Sequence, residues 1–348
     1  MTKVDIFSGF LGAGKTTLIR KLIEEAYGTD KIVLIENEFG EIGVDKGFLQ
    51  NTGIEINQMN AGCICCTLVG DFGKALNEVI EKYNPERILI EPSGVGKLSD
   101  VIIAVQDLKN DKIELNGFTT VVDATKAEMY MSNFGEFYEN QVEHASSIIL
   151  SHTAGMSQDD IDKCIALLRE HNKEASIVTT DWKEIDGSKI LEIMEQKKTL
   201  SAELDRLREE AYREQAEHEA EHHHHDHEHH HHDDEEHECC GHGHHHHHHH
   251  GHGHHADEVF DEMGVETAHR FSRGQLEQAL AGLMDSEQCG QVLRAKGFVA
   301  GTEGEWYEFD YIPGEPEVRT AGEAETTGVI CVIGVGLKKD KIKELFGI

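Results

Sequence analysis

Gly9-Phe10-Leu11-Gly12-Ala13-Gly14-Lys15-Thr16 fits G-x-x-x-x-G-K-[ST], the pattern of a phosphate-binding loop. Such a loop works only between a buried strand and a helix N-terminus, so the motif constrains the fold around it. Val4-Asp5-Ile6-Phe7 reads as the strand, and Thr17-Leu18-Ile19-Arg20-Lys21-Leu22-Ile23 has the apolar spacing of the helix. Backbone N–H groups along Gly9, Gly12, Ala13 and Gly14 are expected to curl around phosphates, where the helix dipole also favours negative charge. Lys15 is expected to reach the β- and γ-phosphates, and Thr16 to offer its hydroxyl to Mg²⁺.

The composition excludes several partners. Asp and Glu number 66 against 32 Lys and Arg, a formal net charge of −34 over 348 residues. A chain this acidic has no general electrostatic footprint for nucleic acid and is repelled by anionic membrane surfaces, but attracts cations. No apolar run is long enough to span a bilayer, and because Met1–Asp5 leads directly into the first strand no signal peptide is expected. A cytoplasmic location is expected, where the eight cysteines are thiols or metal ligands rather than a disulfide framework.

Over residues 1–200 short apolar runs alternate with amphipathic segments. Ile32–Ile35, Arg87–Ile90, Phe118–Val122, Ser147–Leu150 and Ala175–Val178 read as buried strands. Asp71–Lys82, Leu98–Leu108, Phe137–Ala145 and Gln158–His171 read as helices between them. This alternation predicts an α/β domain with a mostly parallel sheet and ligands at the carboxyl ends of its strands. Residues 201–256 continue as a charged helical pattern and then a histidine-rich stretch. Of 26 histidines, 22 lie between His218 and His255, mixed with acids, glycine and Cys239-Cys240. With almost nothing apolar to bury, this segment is expected to be a flexible metal-binding linker. Residues 257–348 regain globular character as a small α+β module. Its helices are read at Phe271–Leu280, entered through Ser272, and at Lys339–Phe346. Its strands are read at Val292–Val299, Glu305–Ile312 and Gly328–Gly334.

Two further motifs carry chemistry. Glu36-Asn37-Glu38-Phe39-Gly40-Glu41 follows the second strand, and Gly62-Cys63-Ile64-Cys65-Cys66 comes later. Three thiols within four residues cannot all be buried on one face, whereas C-x-C-C on a glycine turn can aim at least two sulfurs at one ion. Carboxylates of the acidic loop can complete a tetrahedral site, with Cys65 the preferred ligand and Cys63 or Cys66 as its companion. After the fourth strand, Glu91-Pro92-Ser93-Gly94 has the form of a Walker B and γ-phosphate-sensing segment. Glu91 is expected to act on Mg²⁺ or its waters, and the Gly94 amide to touch the γ-phosphate.

In this order, GFLGAGKTT, ENEFGE, GCICC, EPSG, a histidine-rich linker and a module containing LRAKGF, the chain resembles the CobW family of GTP-dependent metallochaperones, relatives of hydrogenase and urease maturation GTPases. The resemblance implies a P-loop GTPase domain with an internal metal site, a C-terminal α+β domain, GTP hydrolysis, and delivery of Zn²⁺ or Co²⁺ to a client metalloprotein. Carried over by motif, the nucleotide residues are Gly12, Gly14, Lys15, Thr16 and Thr17. The metal residues are Glu36, Glu41, Cys63, Cys65 and Cys66. The assembly expected is a monomer or a nucleotide- or metal-dependent dimer.

One position departs from the family. Its guanine-reading N-K-x-D is replaced by Ser151-His152-Thr153-Ala154, and alanine has no acceptor for the base. GTP used weakly, ATP accepted as well, or base recognition through residues such as Asp181 in Thr179-Thr180-Asp181-Trp182 all remain open, and His152 is a candidate to stack on a base. Neutral imidazoles in the tract suit Zn²⁺, Co²⁺, Ni²⁺ and Cu²⁺. The alternatives to a nucleotide-gated chaperone are therefore a histidine-rich metal store with a degenerate nucleotide site, or the energy-supplying subunit of a cobalt-inserting system.

Overall fold

The computed structural model describes residues 1–28, 30–36, 55–58, 69–108, 110–196, 259–321 and 328–348. Glu41, Cys63, Cys65, Cys66, Cys239-Cys240 and the histidine tract lie outside the described residues.

Seven strands, β1 (Thr2–Gly9), β2 (Ile32–Glu36), β3 (Glu55–Gln58), β4 (Arg87–Glu91), β5 (Ile113–Asp123), β6 (Ser147–Ser151) and β7 (Ser176–Val178), form the first sheet in the order β3-β2-β4-β1-β5-β6-β7. Every pairing in it is parallel. The central strands read as unbroken apolar runs because helices cover both faces. One face buries Phe10, Val101, Phe118 and Tyr138, and the other buries Phe7, Leu18, Leu22 and Ile190. The covering helices are α1 (Lys15–Glu25), α2 (Val69–Tyr83), α3 (Leu98–Gln106), α4 (Ala127–Glu143), α5 (Gln158–His171) and α6 (Gly187–Met194). Helix α5 starts where Ser157 accepts from the Asp160 amide, and α6 where Asp186 accepts from the Ser188 amide.

A second, antiparallel sheet follows in the order β11-β10-β9-β12-β8. Its strands are β8 (Asp261–Thr267), β9 (Gln291–Ala300), β10 (Trp306–Ile312), β11 (Glu315–Ala321) and β12 (Gly328–Val335). Helices α7 (Arg273–Gly282), α8 (Ser286–Cys289) and α9 (Lys339–Phe346) accompany it. Ser272 and Gln275 close a reciprocal capping box at the start of α7. Alternation along β9 and β10 sends Ala295, Val299, Phe309 and Tyr311 into a core with Leu276, Leu280 and Phe346. It leaves Arg294, Lys296, Glu308, Asp310 and Ile312 on the opposite face.

Three strands escaped the sequence reading, and all are edges: β3, β8 and β11. An edge strand has one neighbour, so burial does not impose a clean apolar pattern, and charges or proline such as Pro316 suit it. Helix α4 begins ten residues before the expected Phe137. Gly135 masked its first half, and the backbone leaves helical geometry at Phe134 (φ −134°, ψ 32°). Tyr130, Met131 and Phe134 nonetheless pack that half onto the core.

Toward the amino ends of the strands, Arg87 (4 % exposed) ion-pairs with buried Asp5 and reaches Glu195 at 2.9 Å. Glu195 also accepts from Lys3 and Asn116, each at 2.9 Å. Partial burial works against the Glu195 charge, but Lys3, Asn116 and Arg87 outweigh it and hold the carboxyl down at about 2. A carboxyl whose folded value is depressed stabilises the fold fully above its unfolded value, near 4.3, and loses that contribution as pH falls through the folded value. Glu195→Gln should therefore flatten the loss of stability between about pH 4.5 and pH 2 in acid titrations followed by circular dichroism. An unchanged acid slope would remove Glu195 from this account.

Candidate functional site

The carboxyl end of β1 turns into the loop at Gly9, whose φ is +137° and where an added Cβ would lie 2.3 Å from the Val121 carbonyl oxygen. Only glycine permits this approach of two strands. The loop ends at Gly14 (φ +97°), the residue preceding α1, so the first amides of that helix face the concavity. Lys15, 6 % exposed, starts the helix and donates to the carbonyls of Gly9 at 2.8 Å and Phe10 at 3.3 Å. Thr16 donates its hydroxyl to the Glu91 carboxylate, 3.2 Å from each oxygen. Gly12, Ala13, Gly14, Lys15, Thr16, Thr17 and Glu91 all line one cavity of about 1050 Å³.

The segment after β4 packs directly on this loop. A Cβ on Gly94 would lie 3.0 Å from the Leu11 amide nitrogen, and buried Gln141 donates to the carbonyls of Gly94 (3.1 Å) and Gly96 (2.8 Å). Glu36, 4 % exposed, is paired in register with Glu91 across the parallel strands β2 and β4. Glu36 is the one member of the expected metal set within the described residues. Among the described residues, no group of three or more His, Cys, Asp and Glu side chains is arranged to hold a metal.

Ser151, His152, Thr153, Ala154, Asp181 and Trp182 line the same cavity. Trp182 donates its indole N–H to the Leu150 carbonyl at 2.7 Å, and its ring edge lies 3.2 Å from a Cβ built on Gly14. His152 adopts a left-handed backbone (φ 56°), with Nδ1 3.1 Å from the Ser151 hydroxyl and 3.5 Å from Asp123. Asp181 caps the turn by accepting from the Lys183 amide at 2.9 Å. Sequence reasoning quoted Trp182 but gave it no role. It missed Gln141 and the second-sheet residues Arg294, Lys296 and Arg319, which line the same cavity.

The nucleotide-binding domain of the CobW/HypB/UreG family matches residues 3–179, and the cobalamin synthesis protein CobW C-terminal domain matches residues 260–347. The chain belongs to the CobW family. Curated relatives include the zinc chaperone CobW of Sinorhizobium sp, 41% identical over 128 residues, which are 34% of this chain and 36% of that protein. The zinc chaperone YjiA of Escherichia coli is 32% identical over 192 residues, 53% of this chain and 58% of that one. Zinc-regulated GTPase metalloprotein activator 1 of Schizosaccharomyces pombe is 29% identical over 201 residues, 55% of this chain and 48% of its own length. The chain thus spans well under two thirds of each of these relatives. Membership in the CobW family agrees with an α/β P-loop domain followed by a second sheet domain. Among the described residues, no helix is long and apolar enough to cross a membrane.

Proposed function

We propose that this CobW-family chain is a nucleotide-gated metallochaperone, hydrolysing GTP to control capture and delivery of Zn²⁺ or Co²⁺ to a client metalloprotein. One observation carries the reading: Glu36 sits in register with Glu91, whose carboxylate accepts from Thr16 of the phosphate-binding loop. Adjacent strands are about 4.8 Å apart, so a metal held through Glu36 is one strand away from the group that meets the nucleotide. Two of the relatives are named zinc chaperones and one a zinc-regulated GTPase metalloprotein activator.

The roles follow from donor chemistry. The Thr16 hydroxyl and the Glu91 carboxylate are hard oxygen donors that fit Mg²⁺, which when bound neutralises charge on the phosphate oxygens. Lys15 exchanges its loop carbonyls for phosphate oxygens, and amides from Gly12 to Thr17 orient the phosphate chain. Gly94 lies where the segment after β4 can respond to a γ-phosphate. Thiolates of Cys63, Cys65 and Cys66 with carboxylates of Glu36 and Glu41 form the cargo site, a donor set that suits zinc and cobalt. Trp182 offers the base an aromatic wall in place of the missing aspartate, a contact that does not distinguish guanine from adenine.

The test is Zn²⁺ affinity of a chain lacking His218–His255 in apo, diphosphate and triphosphate-analogue states, with GTP and ATP turnover measured alongside. We expect affinities that differ by roughly 5-fold or more between nucleotide states, and a difference abolished by Cys65→Ala. GTP and ATP turnover should lie within about tenfold of each other, because a charged partner to the base worth at least that much is lost at Ala154. Equal metal affinities in all three states would sink the gating. Several metals per full chain, nearly all lost with the tract, would then favour storage.

A further inference from the structure

The cavity at the phosphate-binding loop is not made by the first sheet domain alone. Part of its lining is the outward face of the second sheet, where Arg294, Lys296, Glu308, Asp310 and Arg319 line it together with Gly12–Thr17. These side chains share a face by register. Lys296 pairs with Asp310, which pairs with Glu317, and Glu308 pairs with Arg319. The residues between them, Ala295, Phe309 and Val318, point the other way into the second core. A sheet that buries one face ordinarily gives the other to water. Here that face brings three cations, Arg294, Lys296 and Arg319, interleaved with the carboxylates of Glu308, Asp310, Glu315 and Glu317, to a loop built for anions.

The two walls are in contact. Ile312, at the end of β10, lies so close to the loop that a Cβ on Gly12 would come within 2.6 Å of its side chain. Glu315, the first residue of β11, accepts from Lys126 of the first domain at 2.9 Å. Phe10, inside the motif, packs on Tyr130 with ring centroids 4.6 Å apart, and Phe260, which leads into β8, completes that aromatic group 6.3 Å from Phe10. Burial raises the Tyr130 phenol above its ordinary value, as do Asp123 and Glu315, while Arg294 pulls the other way. The Arg294 charge is therefore felt at the ring that backs the loop.

We propose that the second domain supplies a lid to the nucleotide site, with Arg294 and Lys296 of β9 contacting the phosphates of a bound nucleoside triphosphate. The proposal rests on the nucleotide-binding reading above and deepens it. Arg294 is held by Asp310 through two contacts, at 2.9 and 3.3 Å, with the arginine 20% and the aspartate 35% exposed. A triphosphate competes with Asp310 for the guanidinium by offering the same charge-assisted geometry with more oxygens. An arginine brought to transferring phosphates from within the same chain is an established way to stabilise them. Loss of the γ-phosphate removes charge from the lid's ligand and loosens the second domain's hold.

The test is calorimetric binding of a non-hydrolysable GTP analogue and of GDP, each with Mg²⁺, to the full chain and its variants. The double variant Arg294→Ala/Lys296→Ala should weaken the analogue by roughly 10-fold or more, the cost of losing hydrogen bonds to a charged group, and weaken GDP less. Asp310→Ala, which removes the carboxylate that competes for Arg294, should bind the analogue as tightly as wild type or tighter. A folded double variant with wild-type analogue affinity overturns the lid. So do equal losses for GDP and analogue, or parallel weakening by Arg294→Ala and Asp310→Ala, which marks the pair as purely structural. Wild-type chain that binds neither nucleotide overturns the nucleotide-gated reading and the lid with it.

Discussion

Lys15→Ala is expected to lower kcat/KM for nucleotide hydrolysis by about 10²–10³, the scale seen when one preorganised donor to developing charge is removed. The residue is buried at the start of α1, and the carbonyls of Gly9 and Phe10 hold its amine within the phosphate-binding loop. Alanine cannot reach a phosphate. Loss of the two carbonyl contacts should cost the apo protein about 1 kcal/mol, a few degrees of melting temperature in a domain of ~200 residues. Ligand-induced stabilisation is the sharper readout. Nucleotide at 100 times Kd adds about 2.7 kcal/mol to the wild type and should add almost nothing to the variant. Retention of both turnover and nucleotide-induced stabilisation would mean that the phosphates are held elsewhere.

The portion of this site that could be read from sequence is local. Gly9 to Thr16 define their own backbone geometry, and the strand before and helix after them are dictated by burial on both faces of a parallel sheet. Glu91 could be associated with the loop because a carboxylate at the end of a strand in such a sheet points to the same edge. Arg294 and Lys296 were legible only as neighbours on one strand face, since two residues apart in a strand always share a face. What that face meets is decided by Ile312 seating on Gly12 and Phe260 entering the aromatic group around Phe10, contacts between segments far apart in the chain. Trp182 is hidden for the same reason. Its place depends on a hydrogen bond to Leu150 across β6, which no pattern around Thr179–Trp182 encodes. Three of the four edge strands, β3, β8 and β11, escaped for a different cause: an edge strand lacks half of its backbone pairing, so its sequence need not carry a clean apolar pattern.

The largest stability effect should come from Arg87→Ala, at about 3–5 kcal/mol, because it leaves a buried carboxylate without its partner. Asp5 is 1 % exposed in β1, and its remaining polar contact is the amide of Asn116 at 2.7 Å. Arg87 joins it to Glu195 at the end of α6, and stacks its guanidinium 4.5 Å above the Tyr27 ring. Burial opposes the arginine's charge, but Asp5 and Glu195 outweigh it and leave the guanidinium more firmly protonated than usual. The pair need not be net favourable against an apolar replacement; the penalty arises from breaking it on one side. Arg87→Met/Asp5→Asn should therefore be less destabilised than Arg87→Ala, although it removes more charge, because no carboxylate is stranded in the core. Urea titrations of the three proteins, with linear extrapolation to water, give the comparison. The cluster stands toward the amino ends of the strands and the phosphate loop at their carboxyl ends, so nucleotide affinity of the folded Arg87→Ala protein should match wild type. A single variant costing less than about 1 kcal/mol, or a double variant worse than the single, would show that Asp5 draws its compensation from elsewhere.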